Sequence, residues 1–417
     1  MELRLLLESL MTLQNIRGDI VDQLIEEDQL LIEAKNIQEK LIEWRRDFHQ
    51  HPELGFEEVR TSTIVANYME TLGLEVQREV AGTGVIALLE GDRPGPTVGL
   101  RADMDALPIQ DLKDTPYKSI IEGKMHACGH DAHTTILMGA ATILTKQGLG
   151  KGNIKFIFQP AEEGRGGAAA MIEAGCLENP KVDIMAGLHV NTGIDTGHIT
   201  VTRDRVGCGS ADFFDIEIKG SGGHAAHPHQ TVDAITVASE VISALQQIVS
   251  RQVAPNDAAV VTVGTIEGGS ASNVIAPSVK MSGTVRTLNP DVRHEIPQKM
   301  EQVISGVTSA FGAKYEFNYE YKFPSILNDY ELRSLVEEVA DIVLGEGHCT
   351  REKSGLGGED FAFYSEKVPS IFFRLGVGNE YMTRYPGHHP MFDIDEKALP
   401  YGSAMLARFA LQYINSN

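Results

Sequence analysis

Residues 132–159 read AHTTILMGAATILTKQGLGKGNIKFIFQ. Its first part, 132–146, is helical in pattern, and past a glycine-containing break the run at 154–159 is strongly apolar and β-rich. Working outward, similar β-rich runs occur at 84–89, 97–101, 184–190 and 371–375, with helical stretches between them. Such alternation predicts an α/β fold with a largely parallel sheet covered by helices.

Between about 207 and 323 the pattern changes. A half-buried strand is expected at 211–219, a long helix at 232–251, strands at 258–266 and 279–288, a helix at 296–311 and a strand at 314–321. That order, β-α-β-β-α-β, is a ferredoxin-like split unit. The chain therefore divides into a helical N-terminal extension (1–40), a first part of the main domain (41–206), an inserted domain (207–323) and a second part of the main domain (324–417). Residues 1–40 are rich in Leu, Ile, Glu and Gln at helical spacing, and 42–72 continue a helical pattern around the turn Pro52-Glu53-Leu54-Gly55.

At 417 residues, about two domains are favoured. A hydrophobic content of 42% with 23% charged residues fits a soluble globular protein. No stretch approaches the ~18 to 20 apolar residues of a membrane span. The start is not read as a signal peptide, because Glu8 interrupts Leu5-Leu6-Leu7 and further acids follow. A formal net charge of −22 argues against nucleic acid and gives no attraction to an anionic membrane. The four cysteines, Cys128, Cys176, Cys208 and Cys349, form no CxxC pair, so a reduced, cytoplasmic setting is the simpler reading.

Four clusters lie just after expected strands or in glycine-rich segments near them, where open α/β sheets place their sites. They are GLRADMD (99–105), MHACGHDAH (125–133), QPAEEG (159–164) and GLHV (187–190); a fifth, GHHP, occupies 387–390. Together they hold the thiolate, imidazole and carboxylate donors that divalent metals use in hydrolases. Cys128 and His130 flank a glycine at the mouth of a helix, whose dipole would favour a thiolate able to bridge two cations. Alone, the pair also reads as a small buried Cys beside a capping His. Glu162 and Glu163 follow the apolar strand directly. One can ligate metal while its neighbour takes a proton from water, or both can be a solvated acidic turn. His189 by itself reads as a core histidine, and in this company becomes a ligand candidate.

In the inserted domain, GSGGHAAHPH (220–229) offers His224 as a donor to a developing oxyanion, though the three histidines also suit a plain surface loop. Asn273 and Arg286 are groups able to hold a substrate carboxylate; a turn Asn and a surface salt-bridged Arg fit their local sequence as well.

The motifs RRDFHQHPELGFEE (45–58), GLRADMDALPI, MHACGHDAHTTILMGAA, FQPAEEG, GLHV, GHAAHPH, NVIAP, GGEDFAFY (357–364) and HHPMFDIDE resemble the co-catalytic metallopeptidase family of aminoacylases and glutamate carboxypeptidases. Within it they are most similar to the amidohydrolase branch of hippurate hydrolases, auxin-conjugate hydrolases and N-acetyl-diaminopimelate deacetylases. The resemblance runs from about residue 41 to the C-terminus. It implies a phosphorylase/hydrolase-like catalytic domain interrupted by a lid domain. It further implies two divalent ions, Zn, Mn, Co or Ni, bound by Cys128, His130, Glu163, His189 and His388. Glu162 would be the general base and His224 the family's histidine of the inserted domain. Asp103 matches an acid that orients a metal-binding histidine in sibling branches, with Arg101 standing where that histidine would be. His227 takes a position commonly apolar in the family. Homo-oligomers, dimers or tetramers through the lid domain, are also implied.

The expected activity is metal-assisted hydrolysis of small N-acyl amino acids. Competing expectations are a dipeptidase or carboxypeptidase using the same site, a silent metal- or ligand-binding protein, and a thiol enzyme with Cys128 as nucleophile.

Overall fold

The computed structural model describes residues 28–379 and 383–417. Most of the expected N-terminal extension lies outside the described residues. Helix α1 (Gln29–Asn36) is its described part, and the Asp28 carboxylate caps it by accepting the N–H groups of Leu30 and Leu31. Asp28 also pairs with Arg408.

An eight-stranded sheet runs from β1 (Glu75–Val80) through β2 (Gly84–Glu90), β4 (Asn153–Gln159), β3 (Thr97–Asp103), β5 (Ile184–Asp195), β14 (Ser370–Gly378) and β6 (Ile199–Thr202) to β13 (Cys349–Glu352). The four central strands β4, β3, β5 and β14 are parallel to one another. At one edge β1 and β2 join antiparallel; at the other, β6 lies antiparallel to β14 and parallel to β13. Along β4, Ile154, Phe156 and Phe158 enter one apolar core while Ile157 enters another. That period of two is the mark of a strand covered on both faces, and each such side chain contributes roughly 1.5–3 kcal/mol of burial.

The larger core lies under α2 (Gln38–Gln50), α3 (Val59–Thr71), α4 (His130–Gln147), α8 (Tyr330–Val343) and α10 (Ala398–Ser416). The smaller one lies under α5 (Gly167–Glu173) and α9 (Ala362–Ser365).

Residues 210–323 build a second, antiparallel sheet in the order β12 (Lys314–Phe323), β7 (Ser210–Lys219), β11 (Ser278–Thr287), β9 (Ala259–Gly268). Helices α6 (Ala234–Gln247) and α7 (Pro290–Ala310) share a separate apolar core with it. A two-residue ladder, β8 (Gly223–His224) with β10 (Val274–Ile275), is added to the expected β-α-β-β-α-β order. Helix α7 starts at Pro290 rather than 296, because Asn289 caps it and Pro290 fits its first position. Among the described residues no helix is long and apolar enough to cross a membrane.

Candidate active site

The central strands end on one side of the large sheet, and the chemistry-bearing loops gather there. Helix α4 begins in this region with Gly129 at φ +90°, so that Cys128 precedes the helix and His130 opens it. A Cβ on Gly129 would sit 2.4 Å from Val190 Cγ2, so the close approach of this loop to β5 demands glycine. Two non-glycine residues in the same region take left-handed backbone, Ala161 at φ 55° in the turn after β4 and His388 at φ 65°. Such strain persists only where surrounding contacts hold it. Here the Ala161 N–H donates to Glu58 Oε1 at 2.8 Å, and the His388 N–H donates to the Ala127 carbonyl at 2.7 Å.

Six of the residues singled out in the sequence converge. Donor atoms of Cys128, His130 and His189 lie within 4.8 Å of one another, as do those of Cys128, Glu163 and His388. The two sets share the Cys128 sulfur. Glu162 joins His130 and Glu163 in a third such group. His189 Nε2 is 3.4 Å from Cys128 Sγ, and His388 Nε2 is 3.2 Å from Glu163 Oε1. His130 Nε2 is buried with no hydrogen-bond partner, and its ring belongs to the cluster. An orphaned imidazole nitrogen amid thiol, imidazole and carboxylate donors fits a pair of divalent cations better than any apolar filling.

The surrounding groups set ring orientation. Asp105 Oδ1 lies 3.2 Å from His130 Nδ1, and its two oxygens accept the backbone N–H groups of Glu162 at 3.0 Å and Glu163 at 2.9 Å. His189 Nδ1 donates to the Val190 carbonyl at 2.8 Å, which turns Nε2 toward Cys128. His133 receives the Val190 N–H on Nε2 at 2.9 Å and places Nδ1 2.6 Å from Asp103 Oδ1; it is a bracket for β5, with no nitrogen left over as a donor to a cation. Asp103 also pairs with Arg101 at 2.6 Å, and its Oδ2 is 3.8 Å from His130 Nε2.

Asp105 and Glu58 are functional candidates that the sequence reading did not single out. Asp105 shares the RADMD motif with Asp103 but stands just past the end of β3.

Burial and the carboxylates of Glu359, Asp360 and Glu163 hold the Glu162 carboxyl well above its ordinary range, with His130 pulling the other way. Burial also raises Asp360 to about 8 against the pull of Arg101. Burial pushes the Cys128 thiol up to about 12 despite the neighbouring His130, so the helix terminus alone does not make the expected thiolate. A coordinated cation would, because it deprotonates a bound thiol outright. Burial, reinforced by His133 and Arg374, keeps His189 well below the usual histidine range, as suits a neutral ligand.

A cleft of about 680 Å³ opens over this cluster, lined by Cys128, Glu162, Glu163, His189, His388 and, from β11, Arg286. Arg286 is half-buried, and the charge it feels, Asp212, is engaged by Arg293 at 2.8 Å. His224 and Asn273 do not line this cleft. His224 is on the β8–β10 ladder and Asn273 immediately precedes β10; both are exposed, with the Ala225 N–H on the Asn273 carbonyl at 3.1 Å. The Ala226 N–H donates to His224 Nδ1 at 3.1 Å, which makes Nε2 the donor end of that ring. His227 is exposed, its ring centroid 5.4 Å from that of His224.

Residues 99–412 match the model of peptidase family M20/M25/M40. The IAA-amino acid hydrolase ILR1-like 4 of Arabidopsis thaliana is 41% identical over 376 residues, 89% of this chain and 84% of that protein. The N-acetylcysteine deacetylase of Bacillus subtilis (strain 168) is 40% identical over 375 residues, 89% of this chain and 96% of that one. Among solved structures, the Bacillus subtilis YXEP protein, described as a dinuclear metal-binding peptidase from the M20 family, aligns with a TM-score of 0.80 and 35% identity over 92% of this chain and 100% of its own. With this donor cluster at the strand ends and these likenesses along nearly its whole length, the chain belongs to peptidase family M20/M25/M40 and is a hydrolase.

Proposed function

We propose that the protein hydrolyses the amide bond of N-acyl-L-amino acids, using two divalent cations held by Cys128, His130, Glu163, His189 and His388. The observation that carries this reading is the pair of donor triads sharing the Cys128 sulfur, with Glu162 beside them. When bound, the cations supply Lewis acidity, which lowers the pKa of water toward about 7 and polarises the scissile carbonyl. Glu162 takes a proton from the attacking water. The water oxygen bonds to the acyl carbon, the C–N bond breaks, and Glu162 returns the proton to the departing nitrogen. Arg286 holds the substrate carboxylate, and Asn273, outside the cleft, joins it only when residues 207–323 close over the substrate. His224 offers Nε2–H to the oxyanion when residues 207–323 close as a lid, and those residues also join copies of the chain into a dimer or tetramer. Asp103 supports the site through His133. The four unpaired cysteines agree with a cytoplasmic setting.

Arg286 would serve the C-terminal carboxylate of a short peptide equally well, which keeps a dipeptidase or carboxypeptidase as the second reading. Chelation followed by reconstitution with Zn²⁺, Mn²⁺, Co²⁺ or Ni²⁺, assayed on N-acyl amino acids and dipeptides, tests both. Activity lost to chelator, restored by cation and highest on N-acyl amino acids is the expected result. Higher turnover of dipeptides moves the assignment to the second reading. Chelator-resistant activity abolished by Cys128 alkylation overturns both.

A further inference from the structure

Behind this cluster lies a network of buried charges that the hydrolytic steps do not use. Arg45 and His49 stand four residues apart on one face of α2, both fully buried. Arg45 reaches Asp131 Oδ2 at 3.1 Å, Asp393 Oδ1 at 2.8 Å and Glu396 Oε1 at 3.4 Å. His49 places Nδ1 2.6 Å from the same Asp131 oxygen and Nε2 2.9 Å from Lys113 Nζ. Lys113 also contacts Asp111 Oδ2 at 3.2 Å and donates to the Phe392 carbonyl at 2.8 Å. The Tyr117 hydroxyl donates to Asp393 Oδ2 at 2.9 Å.

Removing so many charges from water is costly, and apolar side chains of similar volume hold a fold at least as well. Stability alone therefore does not account for the network. Its two ends do. Asp131 directly follows His130 in the first turn of α4. Phe392 and Asp393 lie on the segment that carries His388, where the Phe392 N–H donates to the His389 carbonyl at 2.9 Å. The Phe392 ring stands beside Gly129, 3.4 Å from where a Cβ would be.

We infer that Arg45, His49 and Lys113 are positioning residues, a buried clamp that holds the segment bearing Cys128 and His130 in register with the segment bearing His388. Arg45 ties Asp131 to Asp393, while Lys113 ties His49, and through it Asp131, to the Phe392 carbonyl. Arg45 and His49 stand before residue 99, where the family match begins. The inference rests on the cation site proposed above, and the experiment separates the two.

Co²⁺ is titrated into the metal-stripped full-length chain and into Lys113→Met, Arg45→Lys and Tyr117→Phe, reading affinity and the d–d absorption spectrum, with far-UV circular dichroism as the check of fold. Folded Lys113→Met should bind Co²⁺ about 10- to 100-fold more weakly and with an altered spectrum. Arg45→Lys keeps the charge but loses the planar fork, so a loss in the same direction is expected. Tyr117→Phe removes a single hydroxyl and carries the test if the other two fail to fold; a several-fold loss is expected. Folded variants with wild-type affinity and spectrum overturn the clamp. A wild-type chain that binds no Co²⁺ overturns the cation site itself.

Discussion

His130 Nδ1 lies 3.2 Å from Asp105 Oδ1, and this contact decides which nitrogen of the His130 ring faces the cleft. The same carboxylate accepts the N–H groups of Glu162 and Glu163, so one side chain aligns an imidazole and the acidic turn together. Asp105→Ala is expected to weaken cation affinity or lower activity by about 10- to 100-fold, read by chelator competition and by kcat/KM. Unchanged values would remove Asp105 from the machinery.

Glu162→Gln preserves size and hydrogen-bonding capacity while removing the base. The expected outcome is a fall in kcat of roughly 10²- to 10⁴-fold with the cation content by metal analysis unchanged. Turnover near wild type with cations bound would show that another group moves the proton.

Arg286 points a cation into the cleft. A hydrogen bond to a charged group contributes roughly 1.5–3 kcal/mol, so Arg286→Met should raise KM for carboxylate-bearing substrates by about 10- to 100-fold. The effect should shrink for the matching amides, where no carboxylate is present. Equal losses on both would place the role of Arg286 elsewhere.

Gly129→Ala adds a methyl 2.4 Å from Val190 Cγ2 at a backbone conformation that L side chains rarely adopt. A loss of roughly 1–3 kcal/mol in urea unfolding is expected, with weaker cation binding because Cys128 must shift. A neutral result would mean that the Cys128 loop moves away from β5 easily.

Acid stability follows from the buried carboxylates behind the site. Burial alone would raise Asp393 and Asp111, but Arg45 with Lys113 outweighs it at Asp393, and hydrogen bonds led by His49 do so at Asp111; both are held below the ordinary range. The unfolded chain takes up protons on these groups near pH 4, whereas the folded chain resists until lower pH. Their stabilisation is therefore complete above about pH 5 and is lost as pH falls through 4 and below. Melting temperature measured from pH 7 to 3 should drop along that course. In Arg45→Met, which starts from a lower plateau, the drop should be shallower.

Much of the fold was legible because it is written in apolar runs. The strand at 154–159 is buried along both faces, so its composition carries its own signal. β1 (EVQREV) and β13 (CTRE) are short, polar and exposed on one or both sides, and nothing in their sequence separates them from loop. In α10, Pro400 and Gly402 interrupt a segment buried nearly all round, which hides its helical period. At the site, the donor residues were legible because Cys, His and paired Glu in such spacings have few other uses. Asp105 was not, because a carboxylate that accepts backbone N–H groups leaves no trace in spacing; choosing it over Asp103 requires knowing which way each points. His224 and Asn273 were each legible as candidates, yet sequence alone does not tell that they meet at the β8–β10 ladder outside the cleft.

The chain order of the donor cluster gives synthesis a part in building it. Cys128, His130 and His189 all precede the second sheet, whereas His388 comes after it and behind β14. A polypeptide emerging N-terminus first thus owns one proposed coordination triad while its counterpart is still unmade. Translation sets the clock, and a chain stalled or clipped ahead of residue 388 would hold a site for a single ion and no means of pairing it.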